Sequence, residues 1–169
     1  MEKNLRILVI NTGSTPTAIA LFEENKLLDK ETIRHGSEEL SKYKKIADQH
    51  KIRAEIIINF LKQKRINLNS LDAIVGRGGA LKPVAGGTYK INKLMLEELR
   101  ERSRVEHASN LGAVIAYDLV QKIRVPSFIV DSVAVDELEP VARISGMSDI
   151  ERESLFHVLN LKAAARRMA

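Results

Sequence analysis

The tightest constraint on how this chain folds lies in its first 34 residues. Two apolar runs, residues 7–10 and 19–22, flank the polar stretch Asn11-Thr12-Gly13-Ser14-Thr15-Pro16. Each run is too short for a helix and is bounded by turn residues, the pattern of a buried strand. Residues 26–34 repeat the pattern after the polar pair Glu24-Asn25. Segments 5–11, 17–23 and 26–34 therefore predict three consecutive strands, a β-meander. Many hairpins close on Asn-Gly alone. This turn adds two hydroxyls and a glycine that lets another group approach the backbone. Such a turn can cradle phosphate, although an Asx-turn by itself accounts for Asn11, Thr12 and Gly13.

Beyond residue 34 the periodicity changes. From about Glu38 to Arg65 the pattern is helical, with Ala54, Ile57, Ile58 and Leu61 on one face and Ser37 placed to cap it. "LDAIVG", residues 71–76, predicts a fourth strand. Helices are expected over 92–103 and 110–122. "VPSFIVD", residues 125–131, predicts a fifth strand entered through Pro126 and ending in Asp131. The remainder reads as helix and loop. The order βββαβα…αβα predicts an α/β fold, a mixed five-stranded sheet with flanking helices. A chain of 169 residues suffices for one such core, burying about 70% of its unfolded surface.

Composition excludes several function classes. A net charge of +5 raises nucleic-acid binding. The basic runs Lys42-Tyr43-Lys44-Lys45 and Lys62-Gln63-Lys64-Arg65 fall on helical segments, however, and aromatics are only 4%, so no stacking platform exists. These read as solvated helix faces, with no nucleic-acid partner. There is no cysteine, hence no disulfide or thiolate metal site. Residues 7–10 are too short for a signal core or a membrane span. A cytoplasmic protein with no membrane partner is expected.

Four further places can carry chemistry. "GRGGALKPVAGGTY", residues 76–89, sets Arg77 among glycines just past a strand end, where it can grip a carboxylate or phosphate. Leu81 breaks a dinucleotide-binding spacing, and a surface glycine loop remains the alternative. His107 and Asn110 precede an apolar helix face, and a helix cap alone would account for Asn110. Asp131 ends a strand, placed to orient a metal or to cap the next turn. His157 lies between Phe156 and Val158, a setting more typical of a packing residue.

Read in order, "ILVINTGSTPTAIALF", "VGRGGALKPVAGGTY", "EHASNLGAVIAYDL", "PSFIVDSVAVDEL", "ARISGM" and "ERESLFHVLNLKAAARR" resemble butyrate kinase over nearly the whole chain. That family is similar to acetate kinase. The resemblance implies a ribonuclease-H-like domain of the actin/hexokinase/Hsp70 type over residues 1–150. Residues 151–169 would be the helical start of a missing remainder, with the adenosine-binding part outside the chain. It implies reversible transfer of the ATP γ-phosphoryl group to butyrate or a similar short-chain carboxylate, giving an acyl phosphate, with ATP/ADP and Mg²⁺ as cofactors. Arg77, Asp131, His157 and His107 match the catalytic positions. Asn11, Gly13, Ser14 and Thr15 match the phosphate motif, and Asn11 and Asp131 lie nearest the metal. The family pattern N-P-G-S-T-S-T-K is altered here to Thr12, Pro16 and Ala18, removing a hydroxyl and a charge. The chain alone is accordingly expected to be inactive and to need a second-domain polypeptide or a homo-oligomer. The alternative is a non-catalytic remnant or binding module of the same fold.

Overall fold

The computed structural model describes residues 4–103 and 105–169, the side chain of residue 102 excepted. Three strands, β1 (Arg6–Thr12), β2 (Pro16–Glu23) and β3 (Lys26–Arg34), form the expected antiparallel meander. Strands β4 (Ala73–Arg77) and β6 (Ser127–Val130) add to it in parallel with β1, giving the order β3-β2-β1-β4-β6-β5. The sheet thus has six strands rather than five. The extra strand, β5 (Thr88–Lys90), runs antiparallel to β6 at the edge. At three residues among glycines it is too short to give an alternating signal.

Burial alternates along the strands with the period of two that a sheet requires. Leu8, Ile10, Ile19, Leu21, Ile74 and Ile129 face one side and are at most 4% exposed. Helix α4 (Leu111–Val120) packs on that side against β1, β4 and β6, and α2 (His50–Gln63) packs beside it. Alternate residues such as Val9, Asn11, Val75, Arg77 and Val130 face the other side and are half-buried.

The expected long helix over 38–65 is interrupted. A four-residue helix α1 (Ser37–Leu40) is followed by a turn, a 3₁₀ segment (Ile46–Gln49) and then α2. The break has a tertiary cause: Glu106 Oε1 accepts the Ile46 N–H at 2.7 Å, and Lys45 adopts an extended conformation. Ser37 is the first helical residue rather than a side-chain cap; Gly36 holds the cap position. Helix α3 (Lys93–Glu97) continues as a π-turn through Arg102 and is capped by Asn92, whose side chain accepts the Met95 N–H. Residues 151–157 are not helical; α5 (Val158–Met168) begins only after His157.

Candidate active site

The parallel strands β1, β4 and β6 end on the same edge of the sheet, the edge where ligands collect in open α/β folds. Register sets the site. Ile10 pairs with Gly76 and Gly76 with Ile129, so Asn11, Arg77 and Val130 occupy the next row on the half-buried face. Asp131 follows β6 with φ 52°, a left-handed conformation that Asp tolerates better than most residues. That turn brings its carboxylate back toward β4. Arg77 Nε and Nη2 both donate to Asp131 Oδ2, at 3.1 and 2.9 Å. Arg77 keeps 26% of its side chain exposed, so the guanidinium still meets solvent at the strand end.

His157 completes the cluster from the opposite direction. Its Nδ1 lies 2.6 Å from the Asp131 carbonyl oxygen and 3.3 Å from Oδ2. A carbonyl oxygen can only accept, so Nδ1 carries the proton and Nε2 the lone pair. Burial pushes the His157 pKa down from its ordinary value, and Arg77 and His107 push the same way against the Asp131 carbonyl and carboxylate. His157 is therefore a neutral positioning group at pH 7, not a source of positive charge. Asp131 Oδ1 accepts the Asn160 N–H at 3.3 Å, which ties the carboxylate to the first turn of α5, where the helix dipole favours an anion.

The glycines around Arg77 serve packing. A Cβ at Gly76 would stand 2.4 Å from the Gly112 carbonyl oxygen, one at Gly78 2.9 Å from Ser132 Cβ and one at Gly79 2.3 Å from Asn110 Oδ1. They let the loop press against α4 and the segment after β6, and so aim Arg77. Asn110 occupies the N-cap position of α4 but makes no side-chain cap bond there. Its Oδ1 accepts the Ala80 N–H, and its Nδ2 donates to Ser103 Oγ and the Val105 carbonyl.

His107 lies apart from the Arg77–Asp131–His157 contact. Its Nδ1 accepts the Ser109 N–H at 3.1 Å, capping the short turn before α4. With Ala80, Val105, Ser109, Val133 and Leu155 it lines a small, largely apolar cavity of about 230 Å³. None of those five neighbours stood out in the sequence, because single small or branched apolar residues carry no periodic signal. A larger cavity of about 420 Å³ shares Ala80 and Leu155 and extends under residues 149–155, beside the Arg143–Asp136 ion pair.

The β1–β2 turn stands at the same sheet edge. Gly13 N–H bonds to the Pro16 carbonyl at 2.9 Å, and Ser14 and Thr15 are exposed. Ala18 pairs with Asn11, so no charge overhangs the turn from that position. Among the described residues no cluster of three or more His, Asp or Glu could hold a metal ion. Of the two residues expected nearest a metal, Asn11 and Asp131, the Asp131 carboxylate already accepts from Arg77 through Oδ2 and from the Asn160 N–H through Oδ1. No described helix is long and apolar enough to cross a membrane.

No protein-family model matches the chain. Among solved structures it is similar to the acetate kinase of Porphyromonas gingivalis, with TM-score 0.64 and 15% identity over 96% of this chain and 48% of that one. It is also similar to the acetate kinase of Entamoeba histolytica, with TM-score 0.61 and 15% identity over 96% of this chain and 45% of that one. A propionate kinase from Francisella tularensis subsp. tularensis SCHU S4 matches at TM-score 0.53 and 18% identity, over 85% of this chain and 41% of that one. The domain therefore has the ribonuclease-H-like fold of the actin, hexokinase and Hsp70 group. The chain spans less than half the length of these relatives.

Proposed function

We propose that this chain is the acid-gripping half of a carboxylate kinase, which moves the γ-phosphoryl group of ATP reversibly onto a short-chain fatty acid such as butyrate. The observation that carries the reading is the contact of Arg77, Asp131 and His157 at the ends of the parallel strands. An arginine at a strand end can grip the acid's carboxylate, and the apolar cavity lined by Val105, Val133 and Leu155 would take its short alkyl chain. The acid is already ionised at pH 7 and needs no general base. One carboxylate oxygen forms a bond to the γ-phosphorus as the bond to the β–γ bridging oxygen breaks, and that electron pair leaves with ADP. No proton moves.

Such a transfer is catalysed by positioning and by positive charge around the phosphoryl oxygens. Arg77 would hold the acid's carboxylate and meet the charge on the transferring group. Asp131 would keep the guanidinium flat against the strand end, and His157 would lock the Asp131 backbone through its Nδ1–H. His107 would close the alkyl cavity at its polar rim. Asn11, Gly13, Ser14 and Thr15 would receive the nucleotide's phosphates. Asn11 and Asp131 would face Mg²⁺, which neutralises phosphate charge when bound. The adenosine would be held by a further polypeptide.

The test is hydroxylamine trapping of acyl phosphate with butyrate, ATP and Mg²⁺. Orientation accounts for about 7–11 kcal/mol of such a barrier, so the chain alone should yield no hydroxamate. Adding the nucleotide-binding half of a carboxylate kinase should restore turnover, and Arg77→Ala should lower kcat/KM at least about 100-fold. Failure to restore turnover, together with no binding of butyryl phosphate, would leave a non-catalytic module of the same fold.

A further inference from the structure

Beneath the β1–β2 turn lies a charge with no counter-charge bonded to it. Arg53, on the first turn of α2, is 0% exposed. Its Nη1 donates to the carbonyls of Gly13 (3.0 Å) and Pro16 (3.2 Å) and to Thr17 Oγ1 (3.1 Å). Its Nη2 donates to the Ser14 carbonyl (2.9 Å) and to Gln49 Oε1 (3.0 Å). All five acceptors are neutral, and among the described residues Nε is buried without a partner. Buried charges are ordinarily paired with an opposite charge. Burial draws the Arg53 pKa down, yet a guanidinium starts so far above neutrality that it stays charged. His35, which shares Thr17 Oγ1 at 2.8 Å, is held neutral by burial and by the Arg53 charge.

Peptide geometry turns this arrangement outward. Across a trans peptide the C=O of one residue and the N–H of the next point in opposite directions. Arg53 draws in the carbonyls of Gly13 and Ser14, so the N–H groups of Ser14 and Thr15 point away from it, toward the exposed side of the turn. The His35 N–H holds the Thr15 carbonyl at 2.9 Å, and the Gly13 N–H is bonded back to Pro16. The turn is thus fixed from within, with two successive N–H donors presented outward. Residues 11–18 contain no charged side chain, so the turn surface itself supplies no positive charge.

We propose that Arg53 is the positioning residue of this turn: from behind, it aims the Ser14 and Thr15 N–H groups at a phosphate anion and supplies the positive charge that residues 11–18 lack. This rests on the reading of the turn as the nucleotide's phosphate cradle, though not on the transfer chemistry.

The experiment is an amide ¹H–¹⁵N titration of the full chain with inorganic pyrophosphate at low salt. The Ser14 and Thr15 amides should shift saturably. Arg53→Met, compared at equal folded fraction, should bind pyrophosphate about tenfold more weakly or worse. Arg53→Lys, which keeps the charge but not the fork, should recover part of the loss. A purely structural Arg53 would lower Tm while leaving pyrophosphate affinity of the folded protein unchanged, and that result overturns the proposal. Should Arg53→Met not fold, the wild-type titration decides: Ser14 and Thr15 amides that ignore pyrophosphate also overturn it. Pyrophosphate binding at the turn without hydroxamate in the reconstituted assay would sink the kinase reading and leave this one standing.

Discussion

Single residues at the strand ends do two kinds of work here, and substitution separates them. Gly76 is a spacer. Any side chain there drives a Cβ to 2.4 Å from the Gly112 carbonyl, a backbone atom that cannot rotate away. Gly76→Ala should therefore cost about 1–3 kcal/mol, the usual toll of overpacking, measured by chemical denaturation. It should also displace Arg77, the next residue. Arg77, the gripping group of the proposed reaction, is a quarter exposed and fixed by one carboxylate oxygen. Arg77→Ala empties the site of its cation and leaves the buried Asp131 carboxylate without its ion-pair partner, so it should also lower Tm. His157 shows how the two kinds combine: its hydrogen bond to the Asp131 carbonyl holds the left-handed turn that points the carboxylate at Arg77.

At the scale of elements, α5 deserves its own prediction. Most of its length is exposed, and it is anchored near its start by buried Val158 (6% exposed), by the Asn160 N–H to Asp131 and by a Lys162–Glu137 ion pair. Asp131→Ala removes one of these anchors. Amide exchange across residues 158–168 should then speed up well ahead of exchange in α4, whose backbone lies in the core. Equal acceleration in both helices, or none in α5, would contradict the anchoring role. The elements also show what could be read from sequence. The meander and the strands over 71–76 and 125–131 were legible because their runs alternate or stay apolar between turn residues. Strand β5 was not, since three residues carry no period. The break at residues 41–49 was not, because it depends on Glu106, 60 positions away from Ile46. Arg77, Asp131 and His157 stand out in the sequence within their motif blocks. Arg53 does not, because on a helix face it looks like any solvated base until the turn above it is in place.

At the scale of the whole molecule, pH tests the electrostatics. His35 and His157 both have folded pKa values pushed below the ordinary 6.5 by burial. A histidine with a depressed folded pKa binds its proton more readily once unfolded, so its contribution to stability is fully present above about 6.5 and is lost as pH falls through the folded value. Tm should hold steady from pH 8 to 7 and drop progressively below pH 6.5. His157→Gln should flatten part of that drop, and a Tm independent of pH between 7 and 5 would contradict the neutral assignment of both rings.

The account depends most on the claim that the Arg77–Asp131–His157 cluster holds the reacting acid. Calorimetric titration of the 169-residue chain with butyryl phosphate addresses it directly. The account predicts saturable one-to-one binding, weakened at least about tenfold by Arg77→Ala when the two proteins are compared at equal folded fraction. Equal affinity in the two folded proteins, or no binding by the wild type, would contradict it.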